Sequence, residues 1–138
     1  PRATISFLAG RPLPLHGGGR PVRSFVHIRD VADCTWRIAQ HAEPGQIYHI
    51  STKRLVSIRE VVEMIAAKIG VSFGEHVQIT GDRMGKDAAY RLDSTKARRE
   101  LKWKDQVSLE EGLDEVIEWV RNQLEVLAHQ PWEYIHKA

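Results

Sequence analysis

Residues 57–70 carry the signals for both ends of a helix. Ser57 and Glu60 stand three apart, the spacing at which each side chain reaches a free backbone amide at the other position, and Gly70 supplies a left-handed stop. Between them Ile58, Val61, Val62, Ile65 and Ile69 recur at helical spacing and form one apolar stripe. Such a stripe has to be buried, which commits the chain to packing helices against a core. The same signature returns at Ser108 and Glu111. There Leu109, Leu113, Val116, Ile117, Val120, Leu124 and Leu127 share a face, and Pro131 limits the helix.

The remaining segments read as shorter pieces. Thr4 to Leu8 looks like the tail of a helix stopped by Gly10. Leu13 to His16 is extended, because Pro12 and Pro14 restrict it, and Gly17 to Gly19 is a flexible turn. Val22 to Ile28 predicts a buried strand through Phe25, Val26 and Ile28. Asp30 is expected to cap a helix reaching about Ala42, with Val31, Thr35, Ile38 and Ala42 facing inward. Gln46 to Ser51 and Val77 to Thr80 predict two further strands. Residues 81–89 form a polar loop, residues 90–92 are extended, and Asp93 or Ser94 caps a short helix through Leu101. Trp132, Tyr134 and Ile135 form a short aromatic tail expected to pack down. The result is an α/β chain, mostly helical with a few short strands. Those strands are too few for a self-sufficient doubly wound sheet, so a partner sheet is expected upstream.

Composition narrows the function classes. With 42% hydrophobic and 28% charged residues, 138 residues make one globular domain. The net charge of +2 is spread among mixed signs, so neither nucleic acid nor an anionic membrane is expected as a partner. No apolar run approaches the roughly 20 residues that span a bilayer. The one cysteine, Cys34, excludes an internal disulfide and fits a reducing compartment, with the cytoplasm as the expected location. It has no evident base partner, so a buried structural thiol is the expectation. The seven histidines and Cys34 show no metal-ligand spacing, and no metal is expected. Gly17-Gly18-Gly19 lacks the Gly-x-Gly-x-x-Gly spacing of a dinucleotide cradle. Trp36, Trp103, Trp119 and Trp132 are read as packing residues. The chain opens at Pro1 without an initiator Met, so a longer parent polypeptide is expected.

Four segments stand in a telling order: RPLPLHGGGRPVRSFVHIRDVADC (11–34), GQIYHIS (45–51), DRMGKDAAYRLDSTKARRELKW (82–103) and SLEEGLDEVIEWV (108–120). Together they resemble the carboxyl-terminal region of the extended short-chain dehydrogenase/reductase family, nearest the nucleotide-sugar 4,6-dehydratases such as dTDP-glucose 4,6-dehydratase. The resemblance covers nearly the whole chain. It implies that residues 1–138 are the substrate-binding, carboxyl-terminal portion of a Rossmann-type enzyme. The NAD-binding portion and the catalytic Tyr-x-x-x-Lys pair are then expected upstream of Pro1, so no catalytic residue is assigned here and NAD is bound mainly by that upstream portion. The fragment alone is expected to be inactive, and the parent is expected to be a homodimer.

A guanidinium is a planar fork that can grip two phosphate oxygens, and Arg23 and Arg83 each sit beside a glycine turn. The resemblance gives both to the diphosphate of a nucleoside-diphosphate sugar; surface ion pairs are the other reading. It places Pro14 and His16 near the base, where tyrosine is usual at the second position; a plain loop histidine is equally open. His49 stands for the family's asparagine after Tyr48, or is a core-edge residue. Lys86 stands where histidine is common and can serve a phosphate as a point charge, and Met84 replaces a proline. Tyr90 falls close to the diphosphate, or packs as a half-buried aromatic. Asp87 could orient a neighbouring cation.

The leading expectation is therefore the substrate side of an NAD-dependent nucleoside-diphosphate-sugar 4,6-dehydratase, a lyase converting for example dTDP-glucose to its 4-keto-6-deoxy form for deoxysugar or polysaccharide biosynthesis. A 4-epimerase or decarboxylase of the same family is the close rival. A noncatalytic module binding a nucleotide or a protein is the alternative from another class.

Overall fold

In the computed structural model, which describes residues 1–82, 85 and 87–130, the chain begins with α1 (Arg2–Leu8), β1 (Leu13–His16), a 3-10 turn (Gly17–Gly19), β2 (Val22–Arg23) and α2 (Ile28–His41). It continues through β3 (Val56–Ser57), α3 (Ile58–Ile69), α4 (Phe73–His76), β4 (Val77–Thr80), α5 (Thr95–Glu100), α6 (Leu109–Asn122) and α7 (Leu124–Ala128).

Both expected capping boxes are formed. Ser57 Oγ accepts the Glu60 amide at 3.1 Å while the Glu60 carboxylate accepts the Ser57 amide at 2.6 Å, and α3 stops at Gly70 with φ 85°. Ser108 and Glu111 repeat the arrangement at the start of α6. The stripes do what their spacing requires. Val61, Val62, Ile65 and Ala66 of α3 meet Phe7, Leu13, Leu15, Val56 and Leu113 in one buried cluster. Each large side chain buried there contributes roughly 1.5–3 kcal/mol of transfer free energy. The last helix departs from expectation: it breaks at Gln123, and α7 buries none of its residues.

The strands form two small pairs. β1 runs parallel to β4, from Leu13 opposite Val77 to His16 opposite Thr80. β2 runs antiparallel to β3, and Val22 also bridges Ala89 in the parallel sense. The strand expected over residues 22–28 is only Val22–Arg23. Ile28 already begins α2 and is 72% exposed. Among the described residues, 46–51 has no ladder partner and is not a strand, although Tyr48 and Ile50 pack inward as alternation requires.

Asp30 does not cap α2. His27 holds the N-cap position, its ring nitrogen accepting the Arg29 amide at 3.2 Å. Asp30 lies one turn in, is 4% exposed, and its carboxylate accepts the amides of Gln106 (3.0 Å) and Val107 (3.1 Å). Its carbonyl accepts from the Trp103 indole at 2.9 Å. This network ties α2 to a second cluster of Cys34, Ala97, Leu101 and Trp103. The inward face of α2 thus runs through Asp30, Cys34 and Ile38, whereas Thr35, expected inside, is exposed. Trp103 is a packing residue as expected, but Trp36 and Trp119 are 63% and 53% exposed. Trp132, Tyr134 and Ile135 lie outside the described residues. Cys34 is fully buried, and that burial, followed by the charge of Asp33, raises its thiol pKa.

Candidate functional site

Alternation along β1 sends Leu13 and Leu15 into the core and leaves Pro14 and His16 on the other side. The parallel register sets Thr80 opposite His16, and its hydroxyl lies 2.9 Å from His16 Nδ1. The chain then turns sharply: Gly17, Gly18 and Gly19 have φ of 58°, 65° and 70°, a region that strongly favours glycine. The turn is pressed onto α3, since a Cβ on Gly19 would sit 2.7 Å from the Arg59 amide nitrogen. Pro14, His16 and Gly19 join Arg2, Ile58 and Val62 around a cavity of about 260 Å³. The cavity has apolar walls and a polar edge, as suits a flat heterocycle.

Arg23 leaves β2 half-buried. Its Nη1 donates to the Val22 carbonyl at 2.7 Å and its Nη2 to the Asp87 carbonyl at 2.9 Å. Among the described residues no carboxylate pairs with it. A guanidinium has five N–H donors, so three remain, and a cation withdrawn from water without a counter-ion favours an anion beside it. The polar loop is drawn against β2 by Val22 N–H to Ala88 O (2.8 Å) and Tyr90 N–H to Val22 O (3.3 Å). Asp87 thus contributes to this arrangement through its main chain. That contact leaves no trace in the sequence, because every residue has a carbonyl.

The expected residues divide accordingly. Pro14 and His16 share the cavity. Arg23 and Tyr90 flank the Val22–Ala89 bridge, and Tyr90 is 54% exposed rather than packed. His49 is exposed and does not line the cavity. It stands near Asp93, whose carboxyl is lowered chiefly by the Thr95 hydroxyl and amide and, less, by His49. Arg83, Met84 and Lys86 lie outside the described residues. The described residues contain no cluster of metal-ligating side chains. No described helix is long and apolar enough to cross a membrane.

The GDP-mannose 4,6 dehydratase family matches residues 1–116. A probable dTDP-glucose 4,6-dehydratase of Sinorhizobium fredii is 29% identical over 125 residues, covering 86% of this chain and 36% of the relative. The UDP-glucose 4-epimerase of Mycolicibacterium smegmatis is 34% identical over 118 residues, covering 86% of this chain and 37% of the relative. Among solved structures, the dTDP-glucose 4,6-dehydratase DesIV of Streptomyces venezuelae, with NAD bound, aligns at TM-score 0.86 and 32% identity over 91% of this chain and 39% of its own. The UDP-glucose 4-epimerase of Thermotoga maritima, with UDP-glucose, aligns at TM-score 0.82 and 27% identity over 89% of this chain and 38% of its own. The chain therefore spans well under half the length of these relatives.

Proposed function

This chain belongs to the GDP-mannose 4,6 dehydratase family of extended short-chain dehydrogenases, with the fold of a part of these Rossmann-type enzymes, and from that premise we propose that it is the substrate-binding portion of a nucleoside-diphosphate-sugar 4,6-dehydratase. The observation that carries the reading is Arg23: half-buried, steadied by two carbonyls and, among the described residues, paired with no carboxylate. Its remaining donors suit a diphosphate, while the cavity of Pro14 and His16 suits the base. In this reading residues 1–138 form one carboxyl-terminal unit, and a Rossmann portion and the catalytic groups precede it in a longer parent. Arg83, Lys86, Tyr90 and His49 are proposed to complete the substrate contacts.

NAD would be held by that preceding portion. Among the described residues the one glycine run leads through a 3-10 turn into β2, not into a helix, and a Cβ on Gly19 would meet Arg59, so there is no strand–turn–helix cradle for a dinucleotide. No step of the reaction is assigned to these residues. Their part is to bind and orient the nucleotide sugar so that its hexose can meet chemistry supplied elsewhere. The fragment alone is proposed to be inactive and the parent a homodimer, in a reducing compartment.

A 4-epimerase of the same family is the second reading, favoured by the 34% identity to the mycobacterial epimerase. Mass spectrometry of the full-length protein acting on nucleoside-diphosphate glucoses separates the two. A dehydratase product has lost one water, and an epimerase product has unchanged mass. Loss of binding on Arg23→Ala, with NAD binding retained, is expected for either. Equal loss of both ligands, or no binding of any nucleoside-diphosphate sugar, would end the substrate-side reading.

A further inference from the structure

A second cavity, of about 390 Å³, is lined by Ser51, Thr52, Lys53, Arg91, Asp93 and Arg98 together with the neighbouring hydroxyls of Ser94 and Thr95. Its frame is fixed. The Ser51 carbonyl accepts from Ser94 Oγ at 2.9 Å and from Arg98 Nη2 at 3.0 Å. Arg98 also reaches Asp105 at 2.5 Å and lies over the Trp103 ring, 4.9 Å from its centroid. The Thr52 amide donates to Ser24 Oγ at 3.0 Å. The Asp93 carboxylate is turned to the Thr95 amide at 2.8 Å.

Against that fixed frame stand two cations on the cavity wall, Lys53 and Arg91. Arg20, Arg29, Arg37, Arg54, Arg59 and Lys68 all pair with carboxylates. Lys53 and Arg91 have neither a hydrogen bond nor an ion pair among the described residues, and both line this one cavity. Like charges sharing a concave site raise the local potential and concentrate an anion there. The lining holds three cations against one carboxylate, and Arg98 is itself occupied by Asp105, so a doubly charged oxyanion suits the site better than a single carboxylate. The volume falls in the range of small-molecule pockets, about 300–1,000 Å³, which leaves space for an organic part beyond the anion. The hydroxyls on the wall offer oxygen acceptors to a polyol.

We propose that this cavity is a second anion site, which takes the phosphate of a phosphorylated sugar-sized molecule between Lys53 and Arg91. It is separate from the diphosphate contact at Arg23 and does not rest on it. The clamp from Ser24 to Thr52 nevertheless brings the chain next to Arg23 beside the chain next to Lys53.

The test is calorimetry of the full chain with glucose 1-phosphate and with inorganic phosphate. Among the described residues neither the Lys53 nor the Arg91 side chain makes a hydrogen bond or an ion pair, so the Lys53→Ala/Arg91→Ala variant is expected to melt like the unsubstituted protein. Its affinity for glucose 1-phosphate is expected to fall by about ten-fold or more, with recovery in Lys53→Arg/Arg91→Lys, while Arg23→Ala changes it by less than about two-fold. Inorganic phosphate is expected to bind more weakly. Absence of glucose 1-phosphate binding, affinity unchanged in the double alanine variant, or a loss reproduced by Arg23→Ala would overturn the site. Equal affinity for inorganic phosphate would overturn its organic part.

Discussion

Replacing Gly19 by alanine tests whether the glycine turn is held against α3 as the geometry requires, and Gly18→Ala is its internal control. Both positions have positive φ, 70° and 65°, so alanine at either pays the left-handed backbone cost of about 1–2 kcal/mol. At Gly18 a new Cβ meets nothing within 4 Å. At Gly19 it lies 2.7 Å from the Arg59 amide nitrogen and 3.0 Å from Arg59 Cα, backbone atoms at the start of a helix packed on the core, which no side-chain rotation can remove. Forcing such an overlap costs a further 1–3 kcal/mol or about that. Urea denaturation followed by tryptophan fluorescence should therefore show Gly19→Ala less stable than Gly18→Ala by about 1–3 kcal/mol. Gly19 also lines the cavity of Pro14 and His16, so nucleoside-diphosphate binding should suffer more in the same variant. Equal destabilisation, or a larger loss at Gly18, would refute the close approach and with it the placement of the turn.

Asp30→Ala removes the shared acceptor of the part-buried Gln106 and Val107 amides, and should lower stability by about 1–3 kcal/mol in the same denaturation assay. In Glu60 and Glu111 the hydrogen bonds from Ser57 and Ser108 hold the carboxyl pKa below the ordinary 4.5. A depressed folded-state pKa contributes stability that is present above 4.5 and is lost as pH falls through the folded value. The Glu60→Gln/Glu111→Gln variant should accordingly flatten the acid limb of a stability-against-pH curve, and a limb of unchanged slope would argue against the boxes as its source. Cys34, buried and with its thiol pKa raised by that burial, should react with a thiol reagent only as the protein unfolds. Rapid modification of the native protein would contradict its burial.

Features specified by neighbouring residues were legible in the sequence. Ser57 with Glu60, Ser108 with Glu111, and the apolar spacing after each define α3 and α6 without reference to the rest of the chain. Val77–Thr80 reads as a strand through its β-formers, although its partner Leu13–His16 is far away in sequence. Features fixed by distant partners were not legible. Asp30 has the chemistry of a helix cap, but tertiary packing takes its carboxylate to the amides at 106 and 107 and leaves capping to His27. The residues from 46 to 51 have strand propensity without a ladder, because pairing needs a neighbour that propensity cannot supply. In the site, Arg23 was recognisable beside its glycine turn, but its hold on the Asp87 carbonyl was not. The pairing of Lys53 with Arg91 on one cavity follows no spacing at all, since 38 positions of chain separate them and only the fold brings them together.

Arg23 is proposed to meet the charged bridge of an activated sugar. The decisive measurement is a crystal structure of the full-length protein with a nucleoside-diphosphate sugar. Phosphate oxygens are expected about 3 Å from the Arg23 guanidinium, with the base in the cavity of Pro14 and His16. A ligand whose diphosphate lies away from Arg23, with that side chain still donating only to the Val22 and Asp87 carbonyls, would contradict it.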